Sequence, residues 1–214
     1  MNRFAIVTSL TALRVPLVVL GAGCSLANLW LPHPGWVAGA AFLLSASALT
    51  DLVDGYLARR WNVTSRLGAL LDPLMDKVFY TIALPVATFA AMFNEDGLHA
   101  AVLLALDIVS MLRDQWVTFL RSVGSEFQAD LRANWSGKLR TIVGFPALVL
   151  IHIQLGLQTL KLQAPAYEGI VMAPALWILV LEVALILVTC LSAGSYTLRY
   201  LPFLRAAARK KSED

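Results

Sequence analysis

Charge is what this sequence has least of. Asp, Glu, Lys and Arg make up 14% of its 214 residues, against about 25% in soluble domains. Such a chain, 58% hydrophobic and with mean hydropathy +0.70, lacks the polar surface of a water-soluble protein. It reads as an all-α, polytopic membrane protein in contact with a lipid bilayer. It also lacks low-complexity tracts, internal repeats and any long polar segment, so a single membrane domain over residues 1–214 is expected. Only two cysteines occur, Cys24 and Cys190, far apart and inside apolar runs. That excludes a disulfide framework and a thiolate metal site. A net charge of +3 is too modest to suggest a nucleic-acid partner. The three histidines, His33, His99 and His152, are scattered and receive no role.

What the chain has in abundance is long apolar runs. A helix needs about 20 mainly apolar residues to cross the hydrocarbon core. Six runs qualify by eye: 11–30, 36–58, 67–93, 98–120, 137–160 and 170–196. Six transmembrane helices are therefore predicted. No small-residue cleavage site follows Arg3, so the first helix is expected to be retained. The segment before Arg14 reads as a possible short interfacial helix, with residues 1–10 lying on the cytoplasmic face. Pro16, Pro85, Pro146 and Pro174 fall in or beside runs, where membrane helices tolerate them.

The few cations are placed unevenly. Connections 31–35 and 94–97 hold no Lys or Arg, whereas 59–66 holds Arg59, Arg60 and Arg66. Residues 121–140 hold Arg121, Arg132, Lys138 and Arg140, and the tail 200–214 is basic. The positive-inside rule puts both termini and the connections after the second and fourth runs in the cytoplasm. A multi-pass protein of the cell (inner) membrane is the expectation.

Against this background four aspartates stand out: Asp51, Asp54, Asp72 and Asp76. An Asp at a bilayer centre costs about 2.5–3.5 kcal/mol, so four would cost on the order of 10 kcal/mol unless partnered. The pairs are spaced three and four residues apart, which gives each pair one helix face. Asp54 and Asp72 both fall about 9 Å from the connection at 62–65. An antiparallel hairpin then brings all four to one depth on the cytoplasmic side. Such an oxygen cage suits one or two hard cations, Mg²⁺ or Mn²⁺. Gly55, Ala58 and Gly68 keep the carboxylate faces uncrowded, Arg59 is placed to fork onto a phosphate, and Ser65 offers a hydroxyl.

At these residues the sequence resembles the CDP-alcohol phosphotransferase family. The family pattern is Asp-x2-Asp-Gly-x2-Ala-Arg-x8-Gly-x3-Asp-x3-Asp, and Asp51, Asp54, Gly55, Ala58, Arg59, Gly68, Asp72 and Asp76 meet every fixed position. The resemblance implies transfer of a phosphatidyl or phosphoalcohol unit from a CDP-linked donor to an alcohol, with release of CMP. It implies metal ligation by the four aspartates, with Asp76 also acting as the general base. Contacts to the CDP pyrophosphate would come from Gly55, Ala58, Arg59, Ser65, Gly68 and Thr11. The resemblance further implies a homodimer.

Within the family the chain is most similar to phosphatidylglycerophosphate synthases, through Thr11-Ala-Leu-Arg14, Gly68 to Lys77, Arg113-Asp114 and Gly137 to Thr141. It departs from them at Thr8, where Asn is usual, and at Asp114, where Glu is usual. The implied partners are CDP-diacylglycerol and a small phosphorylated alcohol, glycerol 3-phosphate. Arg113, Arg121, Lys138 and Arg140 are the candidate ligands of the acceptor phosphate, although Arg121 and Arg140 serve equally well as topology signals. Inositol phosphate, serine, choline or a lipid alcohol are alternative acceptors. A divalent-cation transporter is the reading from another class, and the apolar outer halves of the runs argue against it.

Overall fold

The computed structural model describes residues 3–61, 66–129 and 134–210; within them the side chains of residues 3–6, 52, 58, 59, 66–73, 76 and 210 lie outside the description. Every described element is helical: α1 (Arg3–Trp30), α2 (Pro34–Trp61), α3 (Arg66–Phe93), α4 (Gly97–Glu126), α5 (Trp135–Gln163) and α6 (Ala175–Lys210), with a 3₁₀ turn at Pro165–Tyr167. The six apolar runs thus correspond to six long helices. Four described segments are long and apolar enough to cross a membrane: Val7–Trp30, Pro34–Leu57, Trp135–Gln163 and Ala175–Arg209. The apolar stretch Lys77–Phe93 of α3 is shorter. In α4 the run 98–120 is interrupted by Asp107, Arg113 and Asp114.

Two boundaries differ from expectation. No separate interfacial helix precedes the first span; from Arg3 the chain runs unbroken through Pro16 to Trp30. The reason is tertiary, since Thr11 and Arg14 are buried against α2 and hold that part of the helix in the bundle. The sixth helix begins at Ala175 rather than near 170. Pro174 immediately precedes it, where its missing N–H costs nothing.

The helices pack as a bundle in which α1 touches α2, α3 and α5, while α4 rests on α3 and α6. On α3 the buried positions Phe79, Tyr80, Ala83, Leu84, Ala87, Ala90 and Ala91 recur at helical spacing and form one face. The alanines let neighbouring helices approach closely, and Phe79 meets Phe145 of α5 at a ring distance of 4.4 Å. Large apolar side chains such as Phe42, Ile108, Met111 and Leu187 point outward, as a lipid-facing surface requires.

The end of the bundle that holds connections 31–33 and 94–96 is tied by buried polar groups. Asn94 Nδ2 donates to the Leu155 carbonyl at 3.0 Å, Thr159 Oγ1 donates to Asn94 Oδ1 at 2.9 Å, and Asn28 Nδ2 donates to the Gly156 carbonyl at 3.1 Å. His99 on α4 meets Glu182 on α6 at 3.0 Å. Deeper in, His152 Nε2 lies 3.0 Å from the Ala83 carbonyl and Nδ1 lies 2.9 Å from Ser25 Oγ. A carbonyl only accepts, so Nε2 carries the proton and Nδ1 accepts from the serine. These bonds hold α1, α3 and α5 in register with one another, and α4 with α6, and leave the opposite end to the charged residues.

Candidate active site

The charged end is built first by α1 and α2. Asp51 and Asp54 share one face of α2, with Asp54 buried and Asp51 partly open. Arg14 of α1 reaches both: its Nη2 is 2.7 Å from Asp51 Oδ1 and 3.3 Å from Asp54 Oδ2. Thr11, one turn earlier on α1, places its hydroxyl 2.8 Å from Asp54 Oδ2 and 3.1 Å from the Val7 carbonyl. Arg14 is itself buried, at 1% exposure. A buried guanidinium is tolerable only with such partners, and the two carboxylates gain a counter-charge from the same contact.

Asp51 Oδ2 and Asp54 Oδ1 accept no side-chain hydrogen bond among the described residues. These are hard oxygen donors, one turn apart, and they fit Mg²⁺ or Mn²⁺ in chemical type. Among the described residues no three His, Cys, Asp or Glu side chains gather as a metal cage. Asp72 and Asp76 occupy α3 one turn apart, and their side chains lie outside the described residues, as do those of Ala58, Arg59 and Gly68. Ser65 lies outside the described residues altogether. Gly55 follows Asp54 on α2. The helix that carries Thr11 and Arg14, α1, packs against both α2 and α3, the helices that carry the two halves of the aspartate motif.

A second charged cluster joins α3, α4, α5 and α6. Asp114 is its single described carboxylate: Oδ1 receives Arg113 Nη1 at 2.8 Å and Arg140 Nη1 at 3.1 Å. Arg113 also gives Nη2 to Ser192 Oγ at 2.7 Å. Arg121 Nη2 donates to the Tyr196 phenol at 3.1 Å. Arg140 lies over the Tyr80 ring, with Cζ 4.1 Å from the centroid, while the Tyr80 hydroxyl donates to the Arg140 carbonyl at 3.1 Å. Two guanidiniums, those of Arg113 and Arg140, therefore share one carboxylate while Arg121 is held on Tyr196, and among the described residues the Nε atoms of Arg121 and Arg140 are buried without a hydrogen-bond partner. Such a cluster is set up for an anion carrying more than one charge.

The two clusters share α3. Tyr80 stands four residues after Asp76, about 6 Å along the helix. Lys77, directly after Asp76, donates to Thr118 of α4 at 2.5 Å. Arg113 and Arg140 thus meet at Asp114, and Arg113 and Arg121 at Tyr196, whereas the Lys138 side chain is exposed and makes no hydrogen bond among the described residues. Sequence reasoning passed over Arg14, Asp114, Ser192 and Tyr196 as site residues. For Arg14 a signal existed, the Thr11-to-Arg14 spacing of three, which sets both on one face. Tyr196 carried none, being one aromatic residue in an apolar run.

Comparisons with known proteins bear on the same residues. The family model described as CDP-alcohol phosphatidyltransferase matches residues 4–188. The CDP-diacylglycerol–glycerol-3-phosphate 3-phosphatidyltransferase of Escherichia coli (strain K12) is 33% identical over 146 residues, covering 68% of this chain and 75% of the relative. Proteins of the same name from Escherichia coli O157:H7 and Shigella flexneri serotype 5b (strain 8401) match with equal identity and coverage.

Proposed function

This chain belongs to the CDP-alcohol phosphatidyltransferase family and is a membrane transferase, and from that premise we propose that it uses CDP-diacylglycerol as donor and glycerol 3-phosphate as acceptor. The acceptor hydroxyl attacks the phosphorus that carries the diacylglycerol. A new P–O bond forms, the bond to CMP breaks, and CMP leaves with the electron pair. The observation that carries the choice of acceptor is the cluster in which Arg113 and Arg140 share Asp114 and Arg113 and Arg121 share Tyr196. Tyr80, the ring beneath Arg140, stands one helical turn after Asp76, and a phosphorylated acceptor would present its anionic end to these arginines.

In this reading Asp51, Asp54, Asp72 and Asp76 hold one or two Mg²⁺ or Mn²⁺ ions, which supply charge neutralisation at the pyrophosphate. Arg14 and Thr11 orient Asp51 and Asp54 through the bonds described above. Arg59 and Ser65 bind the CDP pyrophosphate, and Gly55, Ala58 and Gly68 leave room for it. Asp76 takes the proton of the attacking hydroxyl. Phosphoryl chemistry of this kind depends on positioning and charge more than on covalent participation by the protein. The site opens to the cytoplasm, both termini lie there, and the enzyme works as a homodimer.

Inositol phosphate, which also carries a phosphate, is the second reading that the arginine cluster favours; choline offers it no anion, and serine offers only a carboxylate beside an ammonium. The test supplies purified protein with CDP-diacylglycerol, Mg²⁺ or Mn²⁺, and each acceptor in turn, and measures CMP. Release with glycerol 3-phosphate alone is expected. Release with inositol phosphate alone replaces the acceptor, and release with serine or choline removes the phosphate role of the cluster.

A further inference from the structure

Two arginines of the second cluster, Arg113 and Arg121, are held from one side by α6, beyond residue 188 where the family match ends. Tyr196 is the centre of that contact. Its side chain is almost completely buried, at 1% exposure, and its ring lies beneath two guanidiniums. Arg113 Cζ is 5.3 Å and Arg121 Cζ 5.5 Å from the ring centroid. Both contacts are cation–π in geometry. The phenol oxygen accepts twice, from the Asn134 backbone N–H at 2.9 Å and from Arg121 Nη2 at 3.1 Å.

Both of those partners are donors. They occupy the lone pairs of the phenol oxygen, and the phenolic proton has no acceptor among the described residues. A buried O–H without an acceptor costs about 1–3 kcal/mol. It would be satisfied by a ligand oxygen arriving between Arg113 and Arg121. Gly137 of α5 keeps that approach open. A Cβ at Gly137 would stand 3.1 Å from Tyr196 Oη and 3.5 Å from Arg113 Nη2. Ser192, one turn before Tyr196, fixes the other side of the Arg113 guanidinium.

We propose that Tyr196 is the neutral member of the acceptor-phosphate site, fixing Arg113 and Arg121 on its ring and oxygen and donating its phenolic proton to a phosphate oxygen of the acceptor. This rests on the reading above, that the arginine cluster takes the acceptor phosphate. A tyrosine in this place adds a hydrogen bond without adding charge. It therefore rewards a tetrahedral oxyanion with several acceptor oxygens over a simple carboxylate or an uncharged alcohol.

The experiment compares Tyr196→Phe, Gly137→Ala, Arg113→Gln and Arg121→Gln with the unmodified enzyme, all purified in detergent. CMP release is followed against glycerol 3-phosphate, against glycerol and against CDP-diacylglycerol concentration. Tyr196→Phe keeps the ring and removes only the hydroxyl. Its KM for glycerol 3-phosphate should rise about tenfold or more, as loss of a hydrogen bond to a charged group predicts. The donor KM and kcat should stay within twofold, and use of glycerol should not fall. Gly137→Ala should raise the same KM and serves as the independent variant if Tyr196→Phe does not fold. An acceptor KM that stays put in both, while Arg113→Gln raises it, overturns the assignment of Tyr196 and leaves the arginine site standing. An acceptor KM that also stays put in Arg113→Gln and Arg121→Gln overturns the phosphate site and the tyrosine with it. Loss of thermal stability and of kcat with no change in acceptor KM reduces Tyr196 to packing and overturns the proposal.

Discussion

Arg14 shows how one residue can decide the state of two others. A single nitrogen of its guanidinium serves Asp51 at 2.7 Å and Asp54 at 3.3 Å. Without it two carboxylates three residues apart would face each other across one helix turn with no described cation between them. Breaking a buried ion pair by removing one partner costs about 3–5 kcal/mol. Arg14→Gln is therefore expected to lower the thermal midpoint in detergent and to reduce kcat/KM for the donor by about 100-fold or more, a loss near 2.7 kcal/mol. Arg14→Lys, which keeps the charge on a compact ammonium, should recover more of the stability than Gln does. Equal stability of the two variants would show that the charge is not what Arg14 contributes. CMP release and a melting curve on the same preparations decide it.

Among the elements, α3 is the one on which both clusters depend. Its first half carries Asp72 and Asp76, and the next turn carries Tyr80, whose ring lies under Arg140. Gly144 of α5 makes that possible: a Cβ there would fall on the Tyr80 phenol ring and hydroxyl. Gly144→Ala must push the tyrosine aside, and overpacking a close-packed core costs about 1–3 kcal/mol. The expected result is a lower thermal midpoint together with a raised acceptor KM, because Arg140 loses its platform. A Gly144→Ala enzyme with both values unchanged would mean that α3 and α5 are free to separate here. The same logic explains the alanine face of α3 from Ala83 to Ala91. Small residues bring the neighbouring helices close enough for side-chain hydrogen bonds to span between them.

At the scale of the whole molecule the two ends of the bundle do different work. One end is stitched by uncharged or singly paired groups, among them Asn28, Asn94, Thr159 and the His99–Glu182 contact. The other gathers the aspartate motif, the arginines and the basic C-terminal helix. A rigid far end fixes helix register, and register sets where the charged side chains meet. The proposed orientation follows from the cation distribution and is checked by labelling. With Cys24 and Cys190 replaced by Ala, an impermeant thiol reagent added to intact cells should modify His33→Cys and spare Ser125→Cys. Labelling of Ser125→Cys from outside would reverse the topology and put the site on the wrong face for a soluble phosphorylated acceptor.

The sequence by itself determined the class of this protein and the core of its candidate site. Apolar run length follows from bilayer thickness, and aspartate spacing follows from helical repeat. Both are local properties that a chain displays before it folds, so the six helices and the Asp51–Asp76 motif were legible. The partners of those residues were not. Arg14 meets aspartates 37 and 40 residues away, and Tyr196 meets Arg121 across 75. No periodicity encodes such pairs, because they depend on which helix faces which and at what register. The same limit accounts for Lys138, which by charge alone belongs with Arg113, Arg121 and Arg140 yet stands exposed. It also accounts for the start of α1, where burial of Arg14 overrides an interfacial reading. Tertiary packing alone decided which cations ring a common space and which merely face solvent, since burial is what turns a cation into an obligatory partner.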